Sequence, residues 1–251
     1  MKINRASAWV LFACVVVMAV LSAVGVVFPQ VYSNLPLAAA QMPAPMWVMA
    51  LVVFGGVLVV YGLLGFVGAS LAKALGWPQI IDAAVSPRQR FFSPLVLGAL
   101  YGLFMIVVDL VFSQLPGLSR LPHPKFPGSL LASLSAAIGE EIIFRLFFIS
   151  LWTWAISRLV LRGKAQTPVF WVVTFFSAIA FSASHLPSFM VIQQYQSIAQ
   201  ISPLLLAEIF VLNGGLTFLA AAQMKRSGYL AAAGVHFWAD VIWHVVWGLF
   251  L

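Results

Sequence analysis

The sequence predicts an all-α, polytopic membrane helix bundle of about seven transmembrane helices, and three observations predict it. Hydrophobic residues make up 63% of the chain and charged residues only 8%, and the mean hydropathy of +1.06 lies far outside the soluble range. Apolar stretches recur at lengths able to span a hydrocarbon core of about 30 Å. Lysine and arginine cluster in alternate loops, the pattern expected of a multi-pass chain.

To within a few residues the apolar runs are 8 to 28, 46 to 72, 94 to 114, 128 to 157, 168 to 185, 203 to 223 and 228 to 250. Lys2 and Arg5 precede the first, Lys73, Arg88 and Arg90 follow the second, Arg158, Arg162 and Lys164 follow the fourth, and Lys225 and Arg226 follow the sixth. Only Arg120 and Lys125 fall in the intervening loops, which predicts a cytoplasmic amino terminus and a carboxyl terminus on the opposite side. The net charge of +7 follows from this asymmetry and from attraction to the anionic lipid bilayer, so it gives no argument for a nucleic-acid partner.

The first run is longer than a usual signal-peptide core and reads as a retained signal anchor. The lone cysteine, Cys14, excludes an internal disulfide and reads as buried packing. Gly55, Gly62 and Ala69 recur every seven positions, a spacing that suits close helix packing in the second helix. The segments from Pro29 to Pro45 and from Pro116 to Pro127 read as breaker-rich loops, with His123 a solvated loop residue in the latter. A third loop, Pro187 to Pro203, carries Gln193, Gln194 and Gln196 and is placed to cover a cavity mouth.

Polar chemistry is unevenly distributed. Residues 1–115, the first three helices, carry one deeply placed acid, Asp109, and no motif. Residues 116–251, helices four to seven, carry Glu140, Glu141, Arg145, His185, Glu208, His236, Asp240 and His244. Asp109 and Glu208 are expected either to pair with polar groups or to line a cavity. Each charge at a bilayer centre costs about 2.5 to 3.5 kcal/mol on insertion scales, so such a cluster must face a protein interior or a wet cavity.

On the fourth helix Glu141 and Arg145 are four apart and share a face, while Glu140 points about 100° away from Glu141. Pairing of Glu141 with Arg145 leaves Glu140 aimed elsewhere; a salt-bridge knot that glues helices together is the structural alternative. His185 sits in the last turn before a proline stop, where it either caps its helix or serves a site. His236, Asp240 and His244 are spaced i, i+4, i+8 along one stripe, so the aspartate can orient an imidazole. A glutamate, two histidines from different helices and an aspartate beside one of them are a minimum set for activating water against a carbonyl. Neither Ser182 nor Ser184 has a persuasive nucleophile setting, and His-Glu-x-x-His is absent.

Glu140-Glu141-x-x-x-Arg145, Phe181-x-x-x-His185 and His236-x-x-x-Asp240 together resemble the three-motif signature of the CPBP family, the CAAX-protease and bacteriocin-processing, or Abi, group of intramembrane proteases. Phe210 to Gly215, Lys225-Arg226 and Ser227-Gly228-Tyr229-Leu230 resemble the lead-in to its third motif, so the likeness covers roughly residues 128 to 245. The resemblance implies a helical intramembrane endopeptidase acting on a membrane-anchored protein or peptide. Some family members cut after a prenylated cysteine.

By position, Glu140 would activate water, His185 would hold or activate it, and His236 with residue 240 would stabilise the oxyanion. Glu141 and Arg145 take the motif's remaining charged positions, assigned to electrostatics and helix positioning. The family has been described both as metal-dependent and as glutamate-driven; Glu140, His185 and His236 are groups that zinc accepts, and the sequence leaves the choice of mechanism open. Asp240 stands where the family more often has Asn, and a carboxylate donates to an oxyanion only when protonated. Asp240 is therefore expected to orient His236 or to stay neutral.

Depth counting gives a competing partner. Glu140 lies about 27 Å along its helix from Arg158, but His236 only about 15 Å from Arg226, so His244 matches Glu140 better in depth. Spacing along the helix favours His236, with His244 as the alternative. Two other functions compete: a non-catalytic scaffold, regulator or immunity protein of the same fold, and a proton-relay transporter, against which the lack of inverted repeats counts.

Overall fold

The computed structural model describes residues 3–28 and 44–250. Lys2 and the part of the first predicted loop from residue 29 to 43 lie outside them. Within the described residues the chain forms seven helices: α1 (Arg5–Val27), α2 (Met46–Ala74), α3 (Arg88–Phe112), α4 (residues 128–160), α5 (Gln166–Ile192), α6 (Pro203–Ser227) and α7 (Tyr229–Phe250). All but α4 are long and apolar enough to cross a membrane. The chain is an integral multi-pass membrane protein.

Local signals account for the helix ends. Asn4 caps α1 by accepting from the Ser7 amide, and its own side chain donates to the Ile81 carbonyl, tying the amino terminus to the segment after α2. α3 begins at Arg88, earlier than the apolar run, because the Arg90 guanidinium satisfies the carbonyls of Asp82 and Val85 there. Ser202 caps α6 by accepting from the Leu205 amide, with Pro203 in the tolerated first position. Pro187 does not stop α5. It falls in the first turn of a continuation, Leu186–Ile192, where its missing N–H costs no hydrogen bond.

α4 is the hub, packing against α1, α2, α5, α6 and α7, while α3 closes the bundle against α6 and α7. Ile142, Leu146 and Ile149 of α4 are buried among Leu11, Phe170, Ala220 and Tyr229. A second cluster joins Met105, Leu212, Leu216, Val235, Ala239 and Trp243. The bundle's outside is also apolar, with Leu51, Val59, Leu100, Val107, Phe175 and Phe176 exposed. Lipid tails accept such side chains without penalty, and a helix meets its own backbone hydrogen bonds within the bilayer.

The basic loops gather at one end. Asn4 reaches Gln79 and Ile81, Gln166 reaches the Leu75 carbonyl, and Lys225 reaches Thr167. The segment with Arg120 and Lys125 lies between the opposite ends of α3 and α4.

Close helix approach is made by glycines other than those the seven-residue spacing picked out. Gly55 and Gly62 meet nothing within 4 Å, so only Ala69 of that series packs inside. Gly68 is the point of contact instead: a Cβ there would lie 2.5 Å from the Leu146 carbonyl oxygen of α4. Gly98 and Gly102 do the same for α3 against α7, at Val235 and Ile242. Gly68→Ala is expected to cost about 1 to 3 kcal/mol of stability in detergent. Gly55→Ala should be neutral, and equal thermal shifts in the two variants would contradict this packing.

Candidate active site

Two helices change their winding beside the residues that the sequence singled out as site candidates. α4 is α-helical to Glu140 and takes i→i+5 hydrogen bonding over Glu141–Ile149; α7 is α-helical to Asp240 and widens over Val241–Val246. Such wide turns inside helices are frequent at functional sites.

The two adjacent glutamates part company as the helical spacing predicts. Glu141 is fully buried, with Oε1 3.3 Å from Arg145 Nη1, also fully buried. Arg145 donates through Nη2 to Thr217 Oγ1 of α6 at 3.1 Å and lies 4.1 Å over the Phe181 ring of α5. Glu140 instead keeps 32% of its side chain exposed and lines a cavity of about 230 Å³. His185, His236, Asp240 and His244 line the same cavity, with apolar walls from Met105, Ile209 and Leu216.

His236 links the two glutamates. Its Nδ1 lies 2.9 Å from Glu141 Oε1, and the carboxylate holds that nitrogen as a donor. Nε2 then faces Glu140 Oε2 at 3.7 Å and Asp240 Oδ2 at 3.5 Å. Two carboxyl groups beside one imidazole nitrogen require a proton on that nitrogen or on one of the acids. Asp240 was expected to orient His236; the shorter contact, from the other face, is made by Glu141.

His185 is held from its own helix. Its Nδ1 is 2.8 Å from the Phe181 carbonyl, so Nδ1 donates and Nε2 is left as an acceptor for the cavity. Phe181 thus both orients His185 and supports Arg145. Among the described residues no group of three or more His, Cys, Asp or Glu side chains is arranged to hold a metal ion.

Depth counted from loop charges misleads because α7 begins deep beside α4. Gly228, at φ +86°, sits against the Gln79 carbonyl, and Tyr229 in the first turn of α7 donates to the Ile138 carbonyl at 3.0 Å. His236 is therefore level with Glu140, and α4 continues past that level to Arg158. His244 stays in the cavity wall, but the wider winding turns less per residue and swings it toward His123.

His123 is not solvated. It is buried, packs 4.6 Å from the Trp243 ring, and places Nδ1 3.1 Å from His244 Nδ1. Its segment supplies Leu121, Pro122 and Pro124 to the cavity wall and is anchored by the Leu121 amide, which donates to Asp109 Oδ1 at 2.9 Å. Asp109 and Glu208 face each other, both buried, outside the cavity lining. The Pro187–Pro203 segment borders the cavity through Ser188, Phe189 and Ile192, not through its glutamines. Thr217 and the cavity-lining Asn213 escaped the sequence reading, whose only signal for them was a pair of polar residues four apart on an apolar helix, and His123 was expected to be solvated.

A family model described as type II CAAX prenyl endopeptidase Rce1-like matches residues 122–248, just over half of the chain, and the chain belongs to that family. It is thus a member of a membrane-protease family, as the CPBP resemblance implied. Comparison with curated proteins and with solved structures gives no match.

Burial, then the neighbouring His244, pushes His123 down to about 3 from an ordinary 6.5. Released from the wall, the ring would take up a proton below about pH 6.5, so acid favours release. Docking of the 116–127 segment is fully present above that pH and should weaken by about 1.4 kcal/mol per unit below it. Amide hydrogen exchange across residues 116–127 should reveal this slope, and His123→Phe should remove it.

Proposed function

We propose that this Rce1-like family member is an endopeptidase that hydrolyses a peptide bond in a membrane-anchored protein or peptide held in the cavity beside Glu140. The observation that carries the reading is the division of labour between adjacent acids. Glu141 is committed to Arg145 at 3.3 Å and to His236 at 2.9 Å, both fully within the bundle, whereas Glu140 lines the cavity partly exposed, with His236 Nε2 no nearer than 3.7 Å.

Glu140 takes a proton from a water that also donates to His185 Nε2, and the water oxygen bonds to the scissile carbonyl carbon. The carbonyl π electrons move to oxygen, and the resulting oxyanion is stabilised at His236, whose Nε2 faces the cavity beside Asp240. As the tetrahedral species collapses the C–N bond breaks, and the proton held by Glu140 passes to the leaving amine. The products are an amine and a carboxylic acid, which becomes a carboxylate when its remaining proton, the one that faced His185 Nε2, passes to that nitrogen. Glu141 and Arg145 act through position: they fix the His236 tautomer and hold α4, α6 and α7 in register. The apolar cavity wall suits a lipid-embedded or lipidated segment, and the basic end of the bundle is assigned to the cytoplasm.

Purified protein in liposomes, offered membrane-anchored peptides with and without prenyl groups, tests the reading. Wild type should cleave, and Glu140→Gln should lose at least 10²-fold in kcat with its unfolding transition unchanged. Loss of cleavage on adding chelator would place a metal in the step. A folded wild type that cleaves nothing across a broad panel would favour a scaffold or immunity protein of the same fold.

A further inference from the structure

Asp240 leaves the oxyanion reading short of a donor, since a carboxylate only accepts. One turn further along α7 stands His244, in the same cavity wall, with its Nδ1 engaged by His123 Nδ1 at 3.1 Å. Two imidazole nitrogens at that distance need one proton between them, so one ring donates and the other accepts. Burial keeps His123 neutral.

If His244 supplied the proton from Nδ1 as a neutral ring, His123 would carry its own proton on Nε2. That nitrogen is enclosed without a hydrogen-bond partner among the described residues. An orphaned buried N–H is the rarer and costlier state. His123 therefore donates from Nδ1, His244 accepts at Nδ1, and the proton of His244 sits on Nε2, its one uncommitted nitrogen.

We propose that His244 is a further catalytic residue of the hydrolytic site, donating its Nε2–H to the carbonyl oxygen as the tetrahedral oxyanion forms, with His123 the positioning residue that sets its tautomer. The inference rests on the endopeptidase reading and adds to it the donor that position 240 lacks. It also assigns a function to the proline-rich segment before α4: anchored by Asp109 at Leu121, that segment delivers His123 to the back of His244.

The test combines kinetics on membrane-anchored peptides with ¹⁵N-histidine NMR of the full chain in detergent. Wild type should show His244 protonated at Nε2, and His123→Phe, which keeps the aromatic contact to Trp243, should mix its tautomers and lower kcat. His244→Ala should lose about 10² to 10³-fold in kcat with little change in KM, the scale of removing one oxyanion donor. His244→Gln, which retains an N–H, should recover part of that loss. Adding Asp240→Asn to His244→Ala should also recover at least tenfold, because it installs a donor one turn away.

A His244→Ala variant within threefold of an active wild type, or a neutral His244 protonated at Nδ1, would overturn the proposal while leaving hydrolysis by Glu140 intact. An inert wild type would overturn the hydrolytic reading and this donor together.

Discussion

A guanidinium with no access to water has to be neutralised by the protein itself, and the arrangement around Arg145 follows from that constraint. The idealised cost of burying an isolated charge exceeds the net stability of a typical domain. Arg145 therefore draws Glu141 from its own helix, Thr217 from α6 and the Phe181 ring from α5. Glu141 in turn fixes His236 of α7. Four helices meet at this charge-balanced knot; the ion pair itself lies within α4, and a slip of α6 or α7 by a turn would forfeit the Thr217 and His236 hydrogen bonds that complete it.

That knot also sets what is left over. With Glu141 facing inward, helical geometry turns Glu140 about 100° away, into the cavity. With Nδ1 of His236 occupied, Nε2 is directed at the same space. The structural reading of the cluster and the chemical one are thus complementary: one acid stabilises the bundle, and by doing so it presents the other. Glycines at Gly68, Gly98 and Gly102 let the outer helices approach closely enough to support both site helices, α4 and α7, from behind.

Much of this was legible in the sequence because helical periodicity is a local property. The apolar runs located all seven helices, though α3 begins six residues before its run and α5 continues seven residues past its own, and the i, i+4 spacing of Glu141 and Arg145 predicted their pairing. Alternating loop charges predicted the gathering of basic segments at one end. Contacts between helices were harder to read. Nothing in the spacing of Gly55 and Gly62 distinguishes a lipid-facing stripe from a packed one, since both are apolar. Depth counted from Arg158 assumed equal overhangs, and the Tyr229 bond to Ile138 breaks that assumption. His123 looked like a loop residue because prolines around it erase any period; only the fold brings it to His244.

The central claim is that adjacent, chemically identical side chains do different work, and the unfolding stabilities of Glu140→Gln and Glu141→Gln, measured side by side in detergent, test it most directly. The account predicts that Glu141→Gln unfolds several kcal/mol more easily, because Arg145 loses its counter-charge in a buried site, while Glu140→Gln matches wild type. Equal destabilisation of the two, or a stability loss confined to Glu140→Gln, would contradict the assignment of anchoring to one glutamate and chemistry to the other.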